Sequence, residues 1–293
     1  MSNPTTPPIQ HQLLQAVFRA PSASLSAQDK EMTDSLISDF EITAGQCAAV
    51  KRLFTAPLAK LGKVVSKARA FHRDHTFQGI GPTRIIVTGE QAKYQLGMNH
   101  HLKLIKETAE EFLAEYDTHL AAEKLLKGTA FRSEDYPPIG KMQERLRAEF
   151  LIMPMPEPGD FLKSMAGDAA DQLKKDYEKA LAHTSDNVRQ QVLGNMLKLI
   201  SETAASLAGD GPIIDSENKK GPLAKLNEYL DRVPDLNITN DPQINALMQE
   251  CRKELDASTE ALRESEFYRA KTAKAALTLA TKFGAVGERK LAA

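Results

Sequence analysis

The chain has 293 residues, 26% charged and 42% hydrophobic, with no tryptophan, two cysteines and a net charge of −1. That length bounds it to one or two domains, and near-neutrality means that attraction for a charged partner must come from segregated charge. Cys47 and Cys251 are too few for a disulfide framework or a zinc site of their own, and no apolar run approaches the roughly 18 residues of a membrane-spanning helix.

Residues 1–8, rich in proline and threonine, are expected to form a disordered tail, without the basic start and apolar core of a secretory signal. Leu13, Leu14, Val17 and Phe18 predict a short helix ended by Pro21. A helix is predicted from Ile42 to about Phe71 on the spacing of Cys47, Val50, Leu53, Phe54, Leu58, Leu61, Val64 and Val65, with a kink or break at Pro57. The segment FHRDHTFQGIGPTRIIVTG changes character: its glycines, Pro82 and the run Ile85-Ile86-Val87-Thr88 predict a hairpin around a Gly-Pro turn.

Thr88-Gly89-Glu90 is expected to open a long helix running to about Lys127 and closed by Gly128. Leu102, Ile105, Ala109, Phe112, Leu113, Tyr116 and Leu120 form its apolar stripe, and Glu107, Glu110, Glu111, Glu115 and Asp117 colour another face acidic. A loop over 129–140 and a helix of about ten residues ending near Phe150 come next. The prolines of FLIMPMPEPGDF then restrict that run to an edge strand.

Two helices are predicted over 161–182 and 185–208, the second capped by Ser185 or Asp186. GDGPIIDSENKKG, residues 209–221, is the candidate connector. A helix over 222–232, one opened by Asp241-Pro242, and a last stretch through Leu255 and Leu262 to about Phe283 complete the chain. The expected organisation is a tail (1–8), a helical domain (9–208) with a small β element near 76–88 and 150–156, the connector, and a C-terminal helical region (222–293) packed on the same core or separate from it. The fold class is mainly α, with long antiparallel helices.

Catalytic motifs are absent. Gly79-Ile80-Gly81 is followed by Pro82 and lacks a Lys-Ser/Thr pair, which excludes a phosphate-binding loop. There is no GxSxG and no HExxH. Glu115, His119 and Glu123 stand at i, i+4 and i+8, and His72/His75 and His100/His101 are close pairs. Solvated helix pairs account for the first group more simply than a metal does. No metal or cofactor is expected, and a metal-dependent enzyme is kept only as a third reading.

The most informative feature is a one-sided run of charge. Lys51, Arg52, Lys60, Lys63, Lys67, Arg69, Arg73 and Arg84 are opposed only by Asp74, with Phe54, Phe71 and Phe77 threaded among them. A nucleic-acid backbone and its bases call for such a pattern. The candidate contacts are Lys60, Lys63, Lys67, Arg69, Phe71, Arg73, Phe77 and Arg84. A second basic cluster includes Arg269, Lys271, Lys274, Lys282, Arg289 and Lys290. The structural rival is a basic face that merely pairs with the acidic helix.

The stretch PLAKLNEYLDRVPDLNITNDPQINAL, followed by ALRES, resembles the C-terminal half of a family of phage- and plasmid-borne helical proteins with no assigned activity. The basic helix, RIIV, FLAEYDTHL, YPP and FLIMPMPEPGDF fit the same pattern over residues 45–270. The resemblance implies a mobile-element protein in a bacterial cytoplasm, beside replication, recombination or ATPase-driven remodelling machinery, and carries over no site residues. The expected function is non-enzymatic binding of single-stranded or non-specific nucleic acid. The alternative is an adaptor that forms homo-oligomers or docks on a larger complex. No membrane partner is expected.

Overall fold

A computed structural model describes residues 13–79, 83–155, 168–209, 221–257 and 259–291. It is mainly helical with a small β component. Strands β1 (Leu13–Arg19), β4 (Phe77–Gln78), β5 (Arg84–Val87) and β6 (Glu149–Pro154) form a sheet of order β4-β5-β1-β6. Strands β2 (Leu25–Asp29) and β3 (Ala49–Leu53) pair antiparallel, Leu25 opposite Leu53 and Asp29 opposite Ala49. By their contacts the residues fall into two compact units. The first takes the described parts of Met1–Gln15, Thr76–Gln91 and Met153–Ala293, and the second is Ala16–His75 with Ala92–Ile152.

The second unit holds α1 (Lys30–Asp39), α2 (Thr55–Asp74), α3 (from Gln91 to Ala114), α4 (Tyr116–Lys127) and α5 (Ile139–Arg145). The predicted helix from Ile42 is corrected here. Cys47 lies in a loop, Val50 and Leu53 lie in β3, and α2 starts only at Thr55. Pro57 therefore sits in the first turn, where its missing N–H is not needed, and marks a start rather than a kink. Phe54 precedes the helix in the left-handed region, φ +51°. Such a conformation costs a bulky residue about 1–3 kcal/mol. Its ring is fully buried and meets Phe112 edge-on at 5.4 Å and Tyr136 at 5.1 Å. Ring burial worth about 1.5–3 kcal/mol and aromatic pairs at about 0.5–1.5 kcal/mol each offset the strain.

The long helix after Gly89 breaks at Glu115, so α3 and α4 are separate, and Gly128 closes α4 with φ +51°. The Tyr116 hydroxyl donates to the Pro137 carbonyl at 2.5 Å just beyond the break. Glu123 is buried beneath it, accepting from the Tyr136 hydroxyl at 2.9 Å and pairing with Lys127 at 3.4 Å. Glu123 is thus taken out of the Glu115–His119–Glu123 column, and among the described residues no His/Cys/Asp/Glu group is placed to hold a metal.

Leu13, Leu14, Val17 and Phe18 belong to β1, not to a helix. A short apolar run fits either period, and its sheet neighbours decide it. The predicted helix to Phe150 ends at Arg145, and Phe150 enters β6, at the edge of the sheet as its prolines require. Hairpin strands β4 and β5 pair as expected, Phe77 opposite Ile85, while the Gly-Pro turn at 80–82 lies outside the described residues. So do the expected tail at 1–8, residues 161–167 of a predicted helix, and most of the connector, 210–220.

In the first unit, α6 (Asp168–Ala208) is one continuous helix across the predicted cap at Ser185. Ser185 is buried inside it, followed by Val188, Val192, Met196 and Ile200 at four-residue spacing. This stripe shares a core with α7 (Pro222–Leu236), α8 (Pro242–Glu254) and α10 (Glu266–Leu291). Helix α9 (Thr259–Glu264) links the last two. The helices flanking the connector therefore bury one core together. Helix α7 runs past the predicted end at Arg232, because Val233 and Leu236 are buried. Asp241 caps α8 as expected, accepting from the Gln243 N–H at 2.7 Å. Burial pushes the Cys251 thiol up to about 12, with Glu250 adding to the shift, which leaves the thiol inert. No helix of the described residues is long and apolar enough to cross a membrane.

One buried charge pair ties the end of the β4–β5 hairpin to α7: Arg232 Nε and Nη2 donate to Glu90 Oε2 at 2.7 and 2.6 Å. Arg232→Ala is expected to cost about 3–5 kcal/mol in denaturant melts, because Glu90 is left buried and uncompensated. Glu90→Leu combined with Arg232→Met should recover most of that loss. An Arg232→Ala loss below about 1 kcal/mol would show that the pair is not a staple.

Candidate nucleic-acid interface

Helices α2 and α3 pack antiparallel, as four contacts in order show. Phe54 meets Phe112, Lys60 meets Glu111, Phe71 lies over Gly97, and His72 shares a 2.7 Å hydrogen bond with Tyr94. The apolar positions Leu58, Leu61, Val65 and Ala68 of α2 are buried, as are Ile105, Ala109 and Phe112 of α3. Lys60, Lys63 and Lys67 recur at three- and four-residue spacing and so share one face of α2. The Lys60–Glu111 pair shows what that face adjoins: the stripe of α3 that carries Glu111, Glu107 and His100.

The antiparallel arrangement sorts charge. No carboxylate occurs in residues 60–73 of α2 or 91–106 of α3. These two segments lie side by side, with His101 against Phe71 and Lys67, and with His100 and Lys93 on the stripe of α3 that continues to Glu111. At the other end Glu111 reaches Lys60 near the start of α2, and Glu107 lies on the same stripe of α3. The result is a basic half and an acidic half of one helical hairpin.

The eight sequence candidates divide accordingly. Lys60 is held by Glu111. Lys63 and Lys67 are exposed and have no ion-pair partner among the described residues. Arg73 is exposed in the last turn of α2. Arg69 is exposed too, but its Nη2 reaches towards the Pro21 carbonyl at 3.5 Å, away from this face. Phe71 is half-buried, stacked on His75 at 4.0 Å and tilted against His101 at 5.0 Å.

Phe77 and Arg84 belong to the other unit. Phe77 is 6% exposed in its apolar core and presents no ring face to a base. Arg84 donates from Nε to Thr76 Oγ1 at 2.5 Å and from Nη2 to the Thr76 carbonyl at 2.7 Å. Outside the eight, Lys51 is ion-paired with Asp135 at 2.6 Å. In the C-terminal cluster Lys282 is bound by Glu250, Lys271 and Lys274 are exposed, and the side chains of Arg289 and Lys290 lie outside the described residues.

The contribution of α3 was missed by sequence reading, which weighed His100 and His101 only as metal ligands. The signal was present as sixteen residues, 91–106, without a carboxylate. Only packing shows that they adjoin α2. His101 is the most constrained member: its Nδ1 is buried without a hydrogen-bond partner. Burial, then His100 and Lys67, hold its pKa below the ordinary histidine value, so the ring is neutral at pH 7.

No family model, curated protein or solved structure matches the chain.

Gly97 makes the seat for Phe71, since a Cβ there would overlap the ring. Gly97→Ala should therefore destabilise by about 1–3 kcal/mol through overpacking, although alanine gains about 1 kcal/mol of helix propensity. Adding Phe71→Ala should remove the clash and reduce the penalty, as a thermodynamic cycle of denaturant melts would show. Stabilisation by Gly97→Ala alone would mean that the ring does not rest on the helix backbone.

Proposed function

We propose that this is a non-enzymatic protein that binds nucleic acid, single-stranded or otherwise without regard to sequence, through the basic half of the α2–α3 hairpin. The observation that carries the reading is the alignment of two carboxylate-free segments on adjoining helix faces. Lys63, Lys67 and Lys93, with Arg73 beyond them, contact successive phosphates, each releasing counterions. Glu107 and Glu111 repel the backbone and limit the site at one end. With Phe71 seated on α3 and Phe77 buried, base stacking contributes little, so binding is governed by the backbone and is salt-sensitive. The setting that suits it is a mobile-element protein in a bacterial cytoplasm.

An electrophoretic or anisotropy titration tests this. Contact with about four phosphates of a single strand gives a log–log salt slope of roughly −3. Lys63→Gln and Lys67→Gln should each flatten it by about 0.7, whereas Lys60→Gln, already neutralised by Glu111, should change it little. Failure of the wild type to bind any DNA or RNA at low salt would overturn the reading.

A second reading, assembly with protein, is favoured by Phe267 and Leu277 on α10, 72% and 62% exposed. Light scattering at high micromolar concentration should then report a dimer, and a strict monomer would count against self-assembly.

A further inference from the structure

On the nucleic-acid reading above, we infer that His101 is a proton-controlled part of the same face, taking up a proton as phosphate binds and tightening the complex in mild acid. The geometry places it where an anion is missing. His101 faces Lys67 from α2 and His100 from its own helix, with the Phe71 ring against it at 5.0 Å. The nearest carboxylate along α3, Glu107, is engaged by Lys103 at 3.8 Å. His100 is exposed, and its ring lies 5.8 Å from that of His101.

In the free protein a proton on His101 meets two groups of its own sign and a partly desolvated site, with no acceptor to offset either. The charged ring is disfavoured, and the folded protein loses stability as pH falls through the histidine range. A bound phosphate reverses the balance. Its negative oxygens accept N–H bonds from the imidazolium ring and screen Lys67 from it. The His101 ring takes one proton from solvent as it charges, so the association constant rises as pH falls and levels off once that ring is protonated.

The effect on binding is separable from the effect on the free protein. Acid weakens the unliganded fold at His101 while strengthening the complex, so stability and affinity move in opposite directions over one pH interval. A merely structural histidine would move both the same way or would move stability alone.

The test is fluorescence anisotropy with a labelled oligothymidylate, whose bases do not titrate in this interval, at pH about 8 and about 5.5 and fixed ionic strength. The full chain should bind about tenfold more tightly at the lower pH. Its log–log salt slope should steepen by about 0.7 for the imidazolium recruited. H101Q should lose the acid enhancement, its affinity at the lower pH no longer exceeding that at the higher, with circular dichroism confirming the fold at both pH values. Should that variant not fold, His101→Asn must still lose the enhancement. Equal wild-type affinity at both pH values, or full enhancement in a folded variant, overturns this inference and leaves the nucleic-acid reading standing. Absence of binding at either pH overturns both.

Discussion

The packing of α2 on α3 is the constraint on which the functional face depends, and Phe54 sets its phase. Held at φ +51° with its ring buried against Phe112 and Tyr136, it decides where α2 begins. Each residue of a helix turns the face by about 100°. A start one residue earlier or later would rotate Lys63 and Lys67 away from the α3 stripe they adjoin. The strain of one left-handed residue thus orients a row of cations about three turns away.

Charge complementarity does not hold this hairpin together. Lys60 and Glu111 are paired, but both side chains are more than half exposed, and such pairs contribute only about 0–1 kcal/mol. Leu58, Leu61, Val65, Ile105 and Phe112 are buried between or beside the helices, and each apolar side chain contributes about 1.5–3 kcal/mol. Apolar packing therefore sets the pairing, and the charged residues follow it. This weakens the notion that the basic run exists to neutralise the acidic helix, because most of the acids lie beside only one end of α2. The lysines at the other end add little to stability, which leaves them available to a ligand.

In the first unit the same logic of apolar packing holds, with buried polar pairs as ties. Several of its buried polar groups fasten elements together: Glu90 to Arg232, Asp241 to both the α8 cap and Arg189, and Asn237 to Asn245. Cys251 is a buried apolar filler whose thiol is pushed up to about 12. The exposed apolar groups of α10, Phe267 and Leu277, lie outside this scheme.

By itself the sequence determined the elements whose signals are local. Asp241-Pro242 opens α8, Gly128 closes α4, RIIV forms a strand, and the prolines after Phe150 hold β6 at an edge, each through backbone geometry that neighbours along the chain dictate. The mainly helical class followed from the same periodicity. Tertiary structure decided the rest. Leu13–Phe18 became a strand because sheet partners distant in sequence supply its hydrogen bonds, and Ser185 stayed inside α6 because the core continues past it. The eight candidate contacts were selected as one linear run, yet Phe77 and Arg84 fall in a different unit while His101 stands beside Lys67. A linear run records charge along the chain, whereas a binding face is made of what two helices place on the same side, and that depends on a packing angle and phase that no single segment contains.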